Sequence, residues 1–191
     1  GRGLIVLAGG YDIATGHGLG DLWEWDPTTA AWTQRLTGSE PNLPGMRMYA
    51  SLVADSARNR LDLLAGTVFF DQSALVAPEN PQYGSAPSQD IWEIDPAAAA
   101  FTNRTSPQRT WPQARTGQTM VFCPATGKMY MFGGSAQGGV GLLSLDDFWE
   151  WDGTSWFEIQ SDAHPVARQL PAMAYDPVRK SLILFGGGIE N

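Results

Sequence analysis

Hydrophobic and polar residues alternate along most of this chain, which is the pattern of half-buried β-strands, and no helical period of useful length interrupts it. Apolar runs that end in small residues recur at four places: Leu4–Gly10, Leu61–Thr67, Met129–Ser135 and Leu182–Gly188. A cluster of aspartate and aromatic residues follows three of these runs: Asp21–Asp26, Asp90–Asp95 and Asp147–Asp152. Self-similarity at this spacing predicts an array of small antiparallel β-units.

The third unit shows most clearly how each unit divides into four strands. Its predicted strands are Gly117–Cys123, Met129–Phe132, Asp147–Asp152 and Ser155–Gln160. The residues between them are rich in Pro, Gly and Asp, which favour turns. Applied to the whole chain, the pattern predicts thirteen strands, because the second strand occurs four times and each of the others three times. The units are predicted at 1–36 (partial), 47–106, 115–160 and 168–191 (partial), within one segment spanning 1–191.

The pattern resembles the kelch repeat, and more closely the bacterial kelch and galactose oxidase central-domain type. The shared features are a glycine pair that closes the second strand, an aromatic third strand that ends in Asp, a Trp that opens the fourth strand, and an arginine before the first strand. The glycine pairs and arginines are Gly9-Gly10, Gly133-Gly134, Gly186-Gly187, Arg47, Arg115 and Arg168. The second unit departs from the pattern, with Ala65-Gly66-Thr67 in place of the glycine pair and Phe101 in place of the Trp.

The resemblance implies an all-β fold, a kelch-type β-propeller of four-stranded antiparallel blades. Propellers contain at least four blades, whereas the strands of this chain account for about three, so we expect an open or partial arc. The end blades of an arc expose apolar faces. Further propeller blades, or another arc, are therefore predicted to cover those faces.

Composition excludes some classes of partner. The 191 residues carry a net charge of −8, and this acidic balance argues against nucleic acid and against an anionic membrane surface. No apolar stretch approaches the ~20 residues of a membrane helix, so we predict no membrane insertion. The lone cysteine, Cys123, excludes an internal disulfide and leaves the compartment open. An exported or cell-surface bacterial location is slightly favoured over a cytoplasmic one.

The three repeated arginines, Arg47, Arg115 and Arg168, are candidate ligand-binding residues. The resemblance places this position near the mouth of the central channel, where a guanidinium group can bind a carboxylate through two hydrogen bonds. The alternative is a structural hydrogen bond to an acidic residue of the scaffold, and we favour it because the arginine recurs in each unit. The scaffold acceptors considered for this bond are Glu24, Glu93 and Glu150.

The connecting loops carry the remaining candidates. Loops after the second strand and after the fourth strand are predicted to open on one face: Tyr11–Gly20, Thr67–Gln89, Ser135–Asp146, Thr37–Met46, Ser106–Ala114 and Ser161–Val166. Their candidate binding residues are Tyr11, His17, Phe69, Phe70, Tyr83, Trp111 and His164. Trp111 lies outside the repeat, unlike the other tryptophans, which recur and are predicted to form the core. Packing of Phe69 and Phe70 under their own loop is an equal alternative.

Catalytic signals are mostly absent, and no cofactor is predicted. The two histidines, His17 and His164, are far apart and lack the spacing of metal ligands. Gly16–Gly20 imitates a phosphate-binding loop, but no helix follows it, so we predict a flexible loop. Four aspartates at strand ends are predicted to cap turns through their side chains: Asp26, Asp95, Asp152 and Asp176.

These observations predict a kelch-repeat binding or scaffold module that presents loops from one propeller face to a protein, peptide or glycan. We do not predict an enzyme, because the chain shows no catalytic constellation. Two alternatives stay open: a fragment of a propeller enzyme, of oxidase or sugar mutarotase type, whose catalytic residues lie elsewhere; and a structural subunit of a larger assembly.

Overall fold

The computed structural model describes residues 3–71, 83–106, 109–139 and 141–189, and over these ranges the fold is all-β, with antiparallel strands and no helix. The strands before residue 50 are β1 (Ile5–Asp12), β2 (His17–Asp26), β3 (Ala31–Leu36) and β4 (Arg47–Met48). Six more precede residue 105: β5 (Ser51–Asp55), β6 (Arg60–Leu64), β7 (Thr67–Asp71), β8 (Tyr83–Pro87), β9 (Ile91–Asp95) and β10 (Ala100–Asn103).

The second half of the chain repeats this order of elements. Its strands are β11 (Arg115–Thr116), β12 (Thr119–Cys123), β13 (Lys128–Phe132), β14 (Ser135–Gly138), β15 (Gly141–Ser144), β16 (Phe148–Trp151), β17 (Trp156–Glu158), β18 (Ala172–Asp176) and β19 (Ser181–Phe185). No helix in the described ranges is long and apolar enough to cross a membrane.

Four sheets contain the thirteen strands predicted from the sequence. We call them the first sheet (β1-β2-β3), the second sheet (β5-β6-β9-β10), the third sheet (β12-β13-β16-β17) and the fourth sheet (β18-β19). All neighbours within them are antiparallel. The sheets are not closed on one another, an arrangement compatible with a partial or open propeller-like array. The all-β prediction and its strand order are therefore confirmed.

Segments predicted as loops after the second strand instead form β-hairpins. β7 pairs with β8 and β14 with β15, and each hairpin also pairs with the two-residue strand, β4 or β11, that begins at Arg47 or Arg115. In the first sheet β1 and β2 simply continue beyond the glycine pair, with Asp12 opposite His17. The prediction of a flexible loop over Gly16–Gly20 is therefore wrong, because four of its residues belong to β2.

The glycine pair has a steric cause. Gly133 and Gly134 both adopt positive φ, and a Cβ at Gly134 would lie 2.8 Å from the amide nitrogen of Gln118 and the carbonyl oxygen of Thr116. Backbone this close to a neighbouring strand favours glycine. In the second sheet Ala65 also adopts positive φ, at 53°, so the departure from the glycine pair leaves the local backbone geometry intact.

The core lies where the second and third sheets pack face to face. Met129, Met131 and Trp151 are buried in the third sheet, on one face of β13 and β16. They pack in one cluster with residues of the second sheet that include Leu64 and Ile91. The free Cys123 is buried at the end of β12, beside this core.

The turn-capping aspartates behave as predicted. The Oδ1 atoms of Asp26, Asp95, Asp152 and Asp176 each accept a hydrogen bond of 2.8–2.9 Å from the backbone amide two residues later. Hydrogen bonds in these turns lower the pKa of three of the aspartates: mainly the bond from the Thr28 hydroxyl for Asp26, from the Ala97 amide for Asp95, and from the Arg179 amide for Asp176. Side chains of this kind fix the turn between two strands without requiring glycine at that position.

Candidate functional site

The repeated arginines lie at the base of the hairpins. The guanidinium group of Arg115 is buried and donates two 2.6 Å hydrogen bonds to the carboxylate of Asp147 and one of 3.0 Å to the carbonyl oxygen of Gly133. Arg47 makes the same set with Asp90, at 2.9 and 3.0 Å, and with Ala65 at 3.0 Å. We call each Arg–Asp pair a clamp. The acceptors are aspartates that begin the third strand, and not the glutamates considered from the sequence.

A tryptophan completes each clamp. The indole Nε1 of Trp149 donates to Asp147 at 2.6 Å, and that of Trp92 donates to Asp90 at 2.6 Å. Burial acts to raise the pKa of Asp90, but the hydrogen bonds and positive charge of Arg47 outweigh it, so this pKa lies below its ordinary value. Each clamp joins the base of a hairpin to the strand that follows its aspartate through several hydrogen bonds to one carboxylate.

Arg168 occupies the equivalent place beside the fourth sheet, but its guanidinium group bonds only to backbone carbonyl oxygens of the described residues. Its Nη1 donates to the carbonyl oxygen of Gly186 at 2.9 Å, and its Nε donates to that of Val166 at 3.0 Å. Among the described residues no carboxylate pairs with its guanidinium group, and the group is partly exposed. Arg168 thus differs from Arg47 and Arg115, whose donors are occupied within the scaffold.

A groove of about 410 Å³ lies between the hairpins β7–β8 and β14–β15. Hydroxyl and amide side chains line it, among them Ser85, Thr116, Gln137 and Gln169, and apolar atoms come from Met48, Pro87 and Leu142. Tyr49 and Leu170 also line the groove, and both side chains are exposed. In the described part of its lining, the only titratable side chain is that of Tyr49.

Part of the groove's backbone comes from positions at a repeated two-residue offset from the arginines. Tyr49, Gly117 and Leu170 each stand two residues after a repeated arginine, and all three have positive φ. The amide of Gly117 donates to the carbonyl of Tyr49 at 3.2 Å, and the amide of Leu170 donates to the carbonyl of Gly117 at 2.6 Å. Left-handed backbone at non-glycine residues costs free energy and is concentrated at functional sites.

Sequence reasoning did not select Tyr49 and Leu170 as candidates. The signal that could have found them is their fixed distance from Arg47 and Arg168. Gly117 at the same offset from Arg115 marks a position that needs positive φ. Gln137 carries no such signal, because only the β14–β15 hairpin brings it to the groove.

The predicted loop aromatics divide into two groups. Tyr11 stacks on Phe69 with ring centroids 5.5 Å apart, so Phe69 packs against the neighbouring hairpin of the first sheet. A Cβ at Gly18 would lie 2.4 Å from the Phe69 ring, which shows how closely the two hairpins approach. Phe70 is exposed on the same strand. Tyr11 and Phe69 thus lie together, whereas the side chain of Tyr83 lies outside what the structure describes.

Trp111 is packed on the core, although it lies outside the repeat. Its ring makes edge contacts with Trp151 and Trp156, with centroids 5.6 and 6.5 Å apart. The indole nitrogen donates to the carbonyl oxygen of Gln89 at 2.7 Å. The ring is partly buried, so a contribution of Trp111 to stability is expected, in contrast to a loop residue free of the scaffold.

The histidines lie far from the groove lining. His17 is exposed at the tip of the β1–β2 hairpin. His164 is exposed, with its Nδ1 3.7 Å from a carboxylate oxygen of Asp146, beside a second groove between the third and fourth sheets. Within the described ranges, no group of three or more His, Cys, Asp or Glu side chains could hold a metal ion.

A largely buried ionic cluster lies where the third sheet covers the second sheet. Arg58 contacts Asp55 at 2.5 Å, and Asp62 and Glu93 at 3.2 Å each. Burial raises the pKa of Asp62 to about 7, despite the opposing charge of Arg58. A Cβ at Gly153 would lie 2.7 Å from the Arg58 guanidinium, so the third sheet covers this cluster. Asp62 is fully buried and does not line either groove.

Comparison with known proteins supports the fold. A scan of protein-family models gives no match, and a search of curated proteins gives none either. The solved structure of YjhT aligns with 97% of this chain at a TM-score of 0.65 and 16% sequence identity. The alignment covers 56% of the YjhT chain, so the present chain spans little more than half of that length. At this identity the likeness concerns the fold alone.

Proposed function

We propose that this chain is a kelch-type propeller arc acting as a binding module, and that the groove between the hairpins β7–β8 and β14–β15 binds a neutral glycan. The observation that carries the proposal is the chemistry of the groove. Its described lining combines an exposed tyrosine ring with hydroxyl and carboxamide groups, and the charged donors nearby, Arg47 and Arg115, are occupied by their clamps.

A neutral, hydroxyl-rich ligand fits this lining. Hydroxyl and carboxamide groups can both donate and accept hydrogen bonds, as can the hydroxyl groups of a sugar. The face of the Tyr49 ring offers apolar contact area at a small cost in side-chain entropy. The net charge of −8 disfavours an acidic ligand, since the surrounding potential opposes its approach.

The scaffold also provides rigidity. The clamps fix the hairpins at their bases, and the backbone hydrogen bonds through Tyr49, Gly117 and Leu170 join successive units beneath the groove. A preformed groove avoids the entropy cost of ordering its walls when a ligand binds. Among the predicted ligand classes, a protein or peptide partner would also use the exposed rings of Tyr11 and Phe70.

A glycan array followed by calorimetric titration tests the proposal. The purified chain is expected to bind neutral oligosaccharides in preference to sialylated or sulfated ones. Tyr49→Gly is the informative variant, because glycine already stands at the equivalent position Gly117 and relieves the positive φ of Tyr49. We expect this variant to fold normally and to bind at least about tenfold more weakly, which corresponds to ~1.4 kcal/mol.

Phe157→Ala is the matched control, because this ring is exposed on β17 and does not line the groove. It should leave the affinity unchanged. Loss of binding in Phe157→Ala with full binding in Tyr49→Gly would place the ligand elsewhere. If the chain binds peptides but no glycan, the proposed ligand class is wrong. Titrating the bound peptide into Tyr49→Gly and Phe157→Ala would then show whether the groove is the binding site.

A further inference from the structure

A pocket of about 320 Å³ lies within the junction of the second and third sheets, between the end of β10 and the turn that joins β16 to β17. Both sheets have four strands, and the pocket shares no described lining residue with the glycan groove. Its described lining contains no acidic side chain, although the chain carries a net charge of −8. The lining includes two arginines, one tryptophan and three hydroxyl groups: Arg104, Arg109, Trp151, Thr105, Ser106 and Thr154.

Arg109 brings a positive charge to the pocket that the scaffold does not neutralise. Its Nη1 donates to the carbonyl oxygen of Thr154 at 3.3 Å and to the hydroxyl oxygen of Ser155. Among the described residues no carboxylate pairs with this guanidinium group, and the side chain is exposed. Because both contacts use Nη1, they hold Arg109 against the β16–β17 turn and leave its Nε and Nη2 donors for a ligand.

Arg104 shares its counter-charge with two other arginines. Its Nη2 donates to Glu93 at 3.0 Å, and Arg58 and Arg60 contact the same carboxylate at 3.2 and 3.4 Å. Arg58 and Arg60 have further acidic partners, whereas Arg104 contacts no other described carboxylate. One carboxylate therefore faces three guanidinium groups, and the positive charge of Arg104 is only partly compensated.

Trp151 adds a hydrogen-bond donor that lacks an acceptor. Its side chain is buried and forms part of the pocket wall, and its indole nitrogen has no hydrogen-bond partner among the described residues. Indole and guanidinium N–H groups can only donate hydrogen bonds. Buried donors in folded proteins are normally paired, so an unpaired donor in the wall of a pocket favours a ligand that supplies acceptor oxygens.

We propose that this pocket binds a tetrahedral oxyanion of the phosphate or sulfate type, held mainly by Arg104 and Arg109. Guanidinium groups match the geometry of phosphate oxygens and can donate two hydrogen bonds to them at once. Arg104 directly follows β10 of the second sheet, whereas Arg109 is held against a turn of the third sheet. The bound anion would therefore bridge the two sheets. This site does not depend on the proposed binding of glycans.

An oxyanion suits the pocket better than other classes of ligand do. A cation would meet no acidic side chain in the described lining, and an apolar ligand would leave the charges of the two arginines unpaired. A carboxylate could pair with one arginine, but it offers fewer acceptor oxygens than phosphate or sulfate. The donors come from both sheets and from hydroxyl groups between them, so the tetrahedral anion is favoured.

An NMR titration of the isotope-labelled chain with sodium phosphate tests the proposal. The backbone amide resonances of Thr105, Ser106 and Thr154 are expected to shift along one saturable curve, whereas those of Thr116 and Gln169 in the glycan groove stay in place. Sulfate should compete with phosphate, and acetate should bind at least about tenfold more weakly. Phosphoserine distinguishes the source of the anion: tighter binding than phosphate assigns the site to a phosphate group on a larger ligand, and weaker binding assigns it to the free ion.

Charge variants test which residues bind the anion. Arg109→Gln and Arg104→Gln should each weaken phosphate binding at least about tenfold. Arg109→Gln should also keep the melting temperature of the wild type, because the side chain is exposed and pairs with no described carboxylate. Arg179→Gln is the matched control, since it removes the same charge from an exposed arginine that does not line the pocket. It should leave the affinity for phosphate unchanged.

Three results would overturn the proposal. Shifts that do not saturate, or equal weakening in Arg179→Gln, would mean that phosphate is attracted only to positive charge in general. Acetate binding as tightly as phosphate would exclude the tetrahedral class of ligand. Glycan binding should persist in Arg109→Gln, so a failure of the oxyanion site is distinguishable from a failure of the glycan groove.

Discussion

Equivalent positions of the repeat lie in opposite environments at two places in the molecule. One place is the junction between the second and third sheets, and the other is the two ends of the array. At the junction, Met129 and Met131 are fully buried. Their equivalents in the first sheet, Ile5 and Leu7, are 59% and 51% exposed. At the other end Phe185 is 80% exposed, whereas its equivalent Phe132 is buried. One pattern of side chains therefore forms a core or an exposed surface according to whether a neighbouring sheet is present.

This difference shows that the sequence of a unit specifies its strands, whereas the burial of its side chains depends on the neighbouring units. A single sheet of this size cannot bury both faces, so stability in such arrays depends on the interface between units. The clamps follow the same rule, since Arg115 is enclosed and Arg168 is not. The largest effects of mutation are consequently expected at the junction, and their equivalents at the ends provide controls of identical chemistry.

The largest effect is expected for a tryptophan pair. Trp156→Ala should lower the free energy of unfolding by about 3–5 kcal/mol, because it leaves a cavity in the core. Trp32→Ala, at the equivalent exposed position, should lower it by less than about 1 kcal/mol. Urea denaturation followed by circular dichroism measures both. Equal losses in the two variants would show that the ends are as well packed as the junction.

The next effect on the free energy of unfolding is expected from Asp62, a buried carboxylate at the junction. The pKa of Asp62 is raised to about 7 in the folded protein, so between pH 4 and pH 7 the folded state holds a proton that the unfolded chain releases. Its contribution to the free energy of unfolding therefore falls as the pH rises through this window, by up to ~4 kcal/mol. Asp62→Asn should remove this fall, measured as the difference from wild type across pH.

Asp176, the last residue of β18, serves as a control because its pKa is shifted in the opposite direction. Its pKa is lowered by hydrogen bonds from the backbone amides of Arg179 and Val178, so it stabilises the fold above its unfolded pKa and loses this contribution as the pH falls. Asp176→Asn should therefore change the acid limb of the stability curve only. A pH dependence near neutrality that survives in Asp62→Asn would assign it to another group.

The clamps give a third comparison. Arg115→Ala removes the partner of Asp147 and should cost about 3 kcal/mol, because it leaves a partly buried carboxylate without its counter-charge and empties the buried site of the guanidinium. Arg168→Ala should cost less than about 1 kcal/mol, since its guanidinium is partly exposed and pairs with no described carboxylate. Thermal unfolding of the two variants measures the difference. Similar losses would mean that Arg168 is enclosed as Arg115 is.

The smallest effect concerns Trp111, which extends the junction core from outside the repeat. Trp111→Ala should cost about 1–2 kcal/mol, because a partly buried ring and one hydrogen bond to Gln89 are lost. Glycan binding should be unchanged, since this ring does not line the groove. An unaltered melting temperature would show that Trp111 does not contribute to the packing of the core.

Much of the architecture is readable from local patterns. The apolar runs and Asp-aromatic clusters predicted the strands of the four sheets, because a half-buried strand needs side chains of alternating character. The turn aspartates were predicted because an Asp side chain can accept a hydrogen bond from the backbone amide two residues later. The hairpins β7–β8 and β14–β15 were missed, although Thr67–Phe70 is rich in β-branched and aromatic residues. Their second strands, Tyr83–Pro87 and Gly141–Ser144, lack that enrichment, and each hairpin is also paired with a two-residue strand that begins at a distant arginine.

The sequence by itself determined that this chain forms small antiparallel sheets, because that information lies in neighbouring residues. Only the tertiary structure decided which faces are covered, which aspartate each arginine meets, and that Tyr49 and Leu170 line one groove. These outcomes depend on contacts between residues tens of positions apart, and a repeated motif gives the same local signal whether or not its partner is present. The physical reason is that burial and charge pairing are properties of two surfaces, whereas a sequence pattern describes one.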